Sequence, residues 1–390
     1  MATPNTTLAL LLTLILFITS AKAAYNVLDY GAKPNGKIDS AKPFLAAWAA
    51  ACRSPSPATV HVPSGRFLLN KLAFQGPCRS PRINFRIFGT LVAPSYTVIG
   101  TASQWILFSK VDGLSINGGI IDGQATTLWA CKLLAGIKNC PRGAPSLWFS
   151  KTTNLFINGL ISIRSELAHI VLSNCEGVTF RNVKISAAGN SPNTDGVHVY
   201  MSKGVTITGS TIKTGDDCIS IGPGSSNLWI EGVFCGPGHG ISIGSLGKSL
   251  REPGVQNVTV RSVTFSGTQN GVRIKTWARP SYGFVQGIVF ENIVMRNVQN
   301  PIVIDQDYCP NNRNCPGQQS GIKISNVKYK NIKGTSATPI AVKLDCSRTD
   351  PCIGISLQDI KLTYKKKAAL SYCRNADGGA AGIVIPRSCL

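Results

Sequence analysis

Residues 195–243 read DGVHVYMSKGVTITGSTIKTGDDCISIGPGSSNLWIEGVFCGPGHGISI. One short phrase occurs in them three times, as Asp195-Gly196-Val197-His198-Val199, Asp217-Cys218-Ile219-Ser220-Ile221 and His239-Gly240-Ile241-Ser242-Ile243, at steps of 22 residues. In each copy a small residue precedes two aliphatics separated by one position, the alternation of a strand with one buried face. Later copies start at Gly271, Pro301 and Pro339. A strand period of this size, with no helical pattern between the copies, marks a stacked solenoid.

A companion phrase runs beside the first: Asn or Gly, an aliphatic, any residue, an apolar residue, any residue, then a turn former. It recurs nine times between Gly113 and Gly354, as NLFING from Asn154, GVTITG from Gly204, NVTVRS from Asn257 and GIKISN from Gly321. The expected fold is all-β, a single-stranded right-handed parallel β-helix whose rungs stack Ile and Val on one another. A β-sandwich also uses many short strands, but it does not require one phrase in register nine times. The stretch Ser40–Cys52 carries Ala, Leu and Trp at helical spacing and is expected to be a short N-terminal helix capping the open core.

Composition sets the context. Leu8–Ile18 is a nearly unbroken apolar run, followed by Ala21-Lys22-Ala23, so residues 1–23 read as a secretory signal peptide and 24–390 as the β-helix domain. Export agrees with thirteen cysteines and four histidines without a C-x-x-C repeat, a usage that favours disulfides over zinc. The plausible pairs are Cys52–Cys78, Cys131–Cys140, Cys218–Cys235, Cys309–Cys315, Cys346–Cys352 and Cys373–Cys389, leaving Cys175 free. Asn257-Val258-Thr259 is a possible glycan acceptor. A formal net charge of +22 invites a polyanionic partner. The basic residues are scattered through an exported chain, which points to an acidic extracellular polymer rather than nucleic acid, and no membrane contact is expected after signal removal. The chain is expected to act as a monomer.

Aligning the copies puts unlike chemistry at like positions. Equivalent residues on successive rungs lie about 4.8 Å apart. Asp195, Asp217 and His239 should therefore form a ladder with Asp216 alongside, while Arg273 and Lys275 project from the same side. Crowded carboxylates titrate apart, so one holds a proton while another stays ionised, the requirement for splitting a glycosidic bond. Two cations would hold an anionic sugar. His198 shares the outward parity and could line the site, whereas His61 and His169 lack such company and read as structural.

Asn193-Thr194-Asp195-Gly196, Gly215-Asp216-Asp217, Gly238-His239-Gly240 and Arg273-Ile274-Lys275, in this order and spacing, resemble the signatures of the polygalacturonases, glycoside hydrolase family 28, on a pectin-lyase-like solenoid. Tyr308 matches the family's substrate-binding tyrosine, and NVLDYGAKPNGKIDSAKPF from Asn26 resembles the opening of its plant members. The resemblance implies inverting hydrolysis of α-1,4 bonds between galacturonic acid units of pectin, without metal or cofactor. It makes Asp216 the general acid, has Asp195 and Asp217 position and activate water, and has His239 support their ionisation and orientation. Arg273, Lys275 and Tyr308 would hold the substrate. The chain as a whole looks like the plant pollen-type exopolygalacturonases, and the segment Trp129–Pro145 could wall one end of the groove, so exo action is favoured over endo. Two rivals remain: a calcium-dependent pectate lyase, which would leave an ultraviolet-absorbing unsaturated product, and a non-catalytic pectin binder, which would release no reducing ends.

Overall fold

The computed structural model describes residues 23–136, 139–310 and 315–390. The expected leader lies, apart from Ala23, outside the described residues. The chain winds as a right-handed parallel β-helix. One sheet of 11 strands runs along the face that carries the site, and the other faces merge into a sheet of 23 strands. Among the described residues every ladder is parallel except a short hairpin closing at Lys367–Ala368.

The register of the 11-stranded sheet shows why the sequence repeats. Leu147, Ile170, Val197, Ile219, Ile241, Val272 and Ile302 stand one above another, as do Phe149, Leu172, Val199, Ile221, Ile243, Ile274 and Ile304. All fourteen are buried. Each rung thus covers the apolar faces of its two neighbours, and period-two alternation turns the intervening residues outward. The outward column reads Trp148, Val171, His198, Ser220, Ser242, Arg273, Val303.

The companion phrase opens on Asn or Gly for a backbone reason. Gly113, Asn154, Gly177, Gly204, Asn227, Asn257, Gly287 and Gly354 all sit at φ between 51° and 68°, left-handed backbone that Gly and Asn tolerate best. GIKISN from Gly321 does not fit this rule. Val327, not Ile322, pairs with Ile288, so the structural copy begins at Asn326, with φ 53°. The last copy of the first phrase also moves, because Ile302 pairs with Val342; it begins at Ala341 rather than Pro339, and Ile340 is exposed. A shift of two residues preserves parity, so alternation alone could not detect it.

The capping helix spans Ala41–Arg53. It buries Phe44 and Trp48, and Trp48 lies on Phe74, 5.1 Å between ring centroids, at the end of a column continuing through Phe108 and Phe149. The six expected disulfides are the six formed, and Cys175 is free and buried. His169 is buried with Nδ1 2.8 Å from Ser162 Oγ, and burial pushes its pKa down to about 3. His61 packs on Phe88 at 5.4 Å. Asn257 is exposed, its amide donating to Asn227. Among the described residues no helix is long and apolar enough to cross a membrane.

Candidate active site

Turns between strands deliver the carboxylates. Asp195 precedes the Val197–Tyr200 strand, and Asp216 and Asp217 precede Ile219–Ile221. Gly196 N–H donates to Asp217 C=O and Cys218 N–H to Gly240 C=O, which locks the three turns in register. The backbone of Asp216 is held by Thr214 Oγ1, by His239 N–H at 2.7 Å, and through Gly215, whose N–H donates to buried Thr194. Asn270 Nδ2 in turn donates to the His239 carbonyl. These bonds fix the backbone from which Asp195, Asp216, Asp217 and His239 project.

Asp217 is the most heavily bonded residue of the group. Its Oδ1 accepts from Ser242 Oγ (2.7 Å) and Arg273 Nη2 (2.9 Å), and its Oδ2 accepts from Lys275 Nζ (2.7 Å). Burial works against its charge, but the Lys275 and Arg273 cations and the hydrogen bonds from Lys275 and Ser242 outweigh it and hold the carboxyl down to about 2. Asp195 shows the opposite balance. Burial, then the charges of Asp216 and Asp217, push it up to about 7 against a hydrogen bond from Ser220 and the charge of Lys275. Asp216 is the accessible member, with its side chain 20% exposed, and its Oδ1 lies 3.1 Å from His239 Nδ1. Two neighbouring carboxyls thus titrate far apart, an arrangement suited to acid and base chemistry.

The seven residues expected at the site are brought to one groove. Tyr308 lies on the next rung in register with Trp277, its ring 5.2 Å from Lys275 Nζ and 5.9 Å from the Arg273 guanidinium. Arg273 and Lys275 nonetheless differ from the sequence picture of two free cations facing substrate. Both are buried, and both are committed to Asp217. One oxygen each from Asp195, Asp216 and Asp217 lie within 4.8 Å of one another, close enough for a divalent cation. Asp217 is already paired on both sides with Arg273 and Lys275, which lowers the charge that the cluster offers to a cation. Sequence reading missed Ser220 and Ser242, although the repeated Ile-Ser-Ile was their signal.

Beside Asp195 opens a cavity of about 540 Å³ lined by Lys132, Arg142, Trp148, Val171 and His198. Its outer wall is the segment around the Thr126–Leu134 helix, closed by Cys131–Cys140. Lys132 Nζ donates to the Arg142 carbonyl and braces the wall within itself, and Glu166 Oε2 accepts from Ala144 N–H and ties its C-terminal end to the next rung.

With this geometry in view, the relatives are informative. A polygalacturonase of Prunus persica is 58% identical over 394 residues, covering 100% of both chains. An exopolygalacturonase of Platanus acerifolia is 43% identical, covering 95% of this chain and 98% of its own. The solved endo-xylogalacturonan hydrolase of Aspergillus tubingensis superposes with a TM-score of 0.81 at 24% identity, over 92% of this chain and 100% of the other, a likeness of fold. The profile of glycosyl hydrolases family 28 matches residues 52–382, and the chain belongs to that family of glycoside hydrolases.

Proposed function

We propose that the protein is a secreted polygalacturonase that removes galacturonate units from one end of polygalacturonate by inverting hydrolysis. The observation that carries the reading is the bonding of Asp217, whose two oxygens are filled by Ser242, Arg273 and Lys275. A carboxylate so held is a poor nucleophile, and Asp195 is held by Ser220. The attacking group is therefore water. The close approach of the carboxylates would otherwise suit a retaining enzyme.

The cluster carries one proton just below pH 7, which burial favours on Asp195. When that proton sits on accessible Asp216, oriented by His239, it is placed to reach the leaving glycosidic oxygen. Asp195 and Asp217 are then both carboxylates; Asp217 accepts a hydrogen bond from the attacking water, and Asp195 takes its proton. Arg273 and Lys275 face substrate through what their bonds to Asp217 leave free, with Tyr308 packed over them. The charge of +22 steers the acidic polymer to the groove.

Exo action is supported by the anchored wall beside Asp195 and by the name of the Platanus relative. Export is supported by the six disulfides. Time-resolved NMR of a galacturonate oligomer tests both the chemistry and the mode. The expected first product is the β anomer of the monomer alone. An α anomer refutes inversion, a ladder of oligomers refutes exo action, and an unsaturated product identifies a lyase.

The titration of the cluster gives a second expectation. General acid catalysis needs its one proton, so kcat/KM should fall as pH rises through about 7. A profile flat to pH 9 would contradict the assignment.

A further inference from the structure

Two serines on adjacent rungs hold two of the three carboxylates, and each is backed by a different partner. In register the side chains run His198, Ser220, Ser242, Arg273, with both hydroxyls buried. Ser242 donates to Asp217 Oδ1 and receives Arg273 Nε–H at 3.0 Å. Ser220 Oγ lies 2.6 Å from Asp195 Oδ2 and 2.7 Å from His198 Nδ1. A hydroxyl has one proton to give. A guanidinium only donates, so the Ser242 proton must point at Asp217, which is confined to the role of acceptor.

A neutral imidazole imposes no such direction, because Nδ1 either donates or accepts according to tautomer. With Nδ1–H, His198 donates to Ser220, and Ser220 donates to an ionised Asp195. With Nδ1 bare, Ser220 donates to His198 and receives from a protonated Asp195. We propose that His198, acting through Ser220, is a positioning residue that lets Asp195 take up and release a proton, a freedom that Arg273 withholds from Asp217. The proton count closes. A proton from solvent joins Nε2, Nδ1 passes its own to Ser220 Oγ, and the Ser220 proton moves to Asp195 Oδ2. The imidazole ends neutral, as it began, and the reverse sequence discharges the proton.

Burial keeps the His198 pKa below its ordinary value, consistent with an uncharged ring. The charged groups around it are Asp195, Asp217 from the next rung, Lys275, and Lys132 and Arg142 across the cavity. Asp216 acts on Asp195 directly.

The proposal rests on the polygalacturonase reading, and its test separates the two. The alkaline limb of kcat/KM is measured for the wild type, His198→Phe, His198→Asn and Ser220→Ala. An infrared titration of the carboxyl band, referenced to Asp195→Asn, follows the Asp195 proton whether or not hydrolysis occurs. In His198→Phe, Ser220 finds no acceptor for its proton when Asp195 donates, so the Asp195 midpoint should move down by about half to one pH unit. In Ser220→Ala the ionised form loses its donor, and the midpoint should move up by a similar amount. His198→Asn, whose amide offers both roles near the Nδ1 position, should restore the wild-type value. A packing role alone would not give opposite shifts. Coincident midpoints for the wild type, His198→Phe and Ser220→Ala overturn the relay. A wild-type enzyme that releases no reducing ends, yet shows the infrared shifts, overturns the functional reading and leaves the relay standing.

Discussion

Asp216→Asn is expected to lower kcat on polygalacturonate by roughly a thousandfold while leaving the fold intact. The change removes a single proton-carrying oxygen from the most accessible carboxyl of the cluster. Little structure depends on that charge. The backbone of residue 216 is held by Thr214, by His239 N–H and by the Gly215–Thr194 bond, none of which uses the side chain. The amide oxygen can still accept from Asp217 N–H, as the carboxylate does now at 2.8 Å. Activity should therefore collapse with an unchanged circular dichroism spectrum and Tm. A folded variant that retains turnover would remove Asp216 from the role of acid.

Asp217→Asn should be costly in a different way. Arg273 and Lys275 are nearly buried, with side chains 11% and 8% exposed, and Asp217 is the acidic partner of both. An amide turns one donor group toward one of these cations and removes the carboxylate that both are paired with. Breaking a buried pair in this manner typically costs about 3–5 kcal/mol. Both Tm and kcat should fall, unlike the Asp216 variant, in which only kcat does. The sign of the pH dependence provides a further check. A carboxyl lowered from 3.8 to about 2 contributes stability that is fully present above pH 4 and lost as pH falls toward 2. That acid-dependent loss should be smaller in Asp217→Asn, and an unchanged Tm at neutral pH would count against the clamp. Arg273→Ala, which sequence reading alone would confine to weaker binding, should now also lower kcat, because it releases one side of Asp217.

The fold was legible because a solenoid writes its register into the chain. Steps of 22 residues from Asp195 to Asp217 to His239 place like positions on consecutive rungs, and two-residue alternation decides which side chains point outward. The errors fell where this information is degenerate. Ile340 and Val342 share parity, so the last copy could slide by two residues, and it takes the pairing of Val327 with Ile288 and the left-handed backbone at Asn326 to tell the true copy from GIKISN. The membership of the site was equally readable, since ladder order sufficed to gather it. Its internal bonding was not. Parity states that Arg273 and Lys275 face outward but not that both reach one carboxylate, and a serine in an Ile-Ser-Ile strand looks the same whether it meets solvent or a buried acid.

The crosslinks have a mechanical consequence. The six bridges join residues 6 to 26 positions apart, about one coil or less, so each staples a coil to itself or to its immediate neighbour. None ties the two extremities together. Under tension or protease attack such a molecule should give way locally, like a spring with individually soldered turns, and damage near the C-terminus need not propagate to the central turns that hold the aspartates.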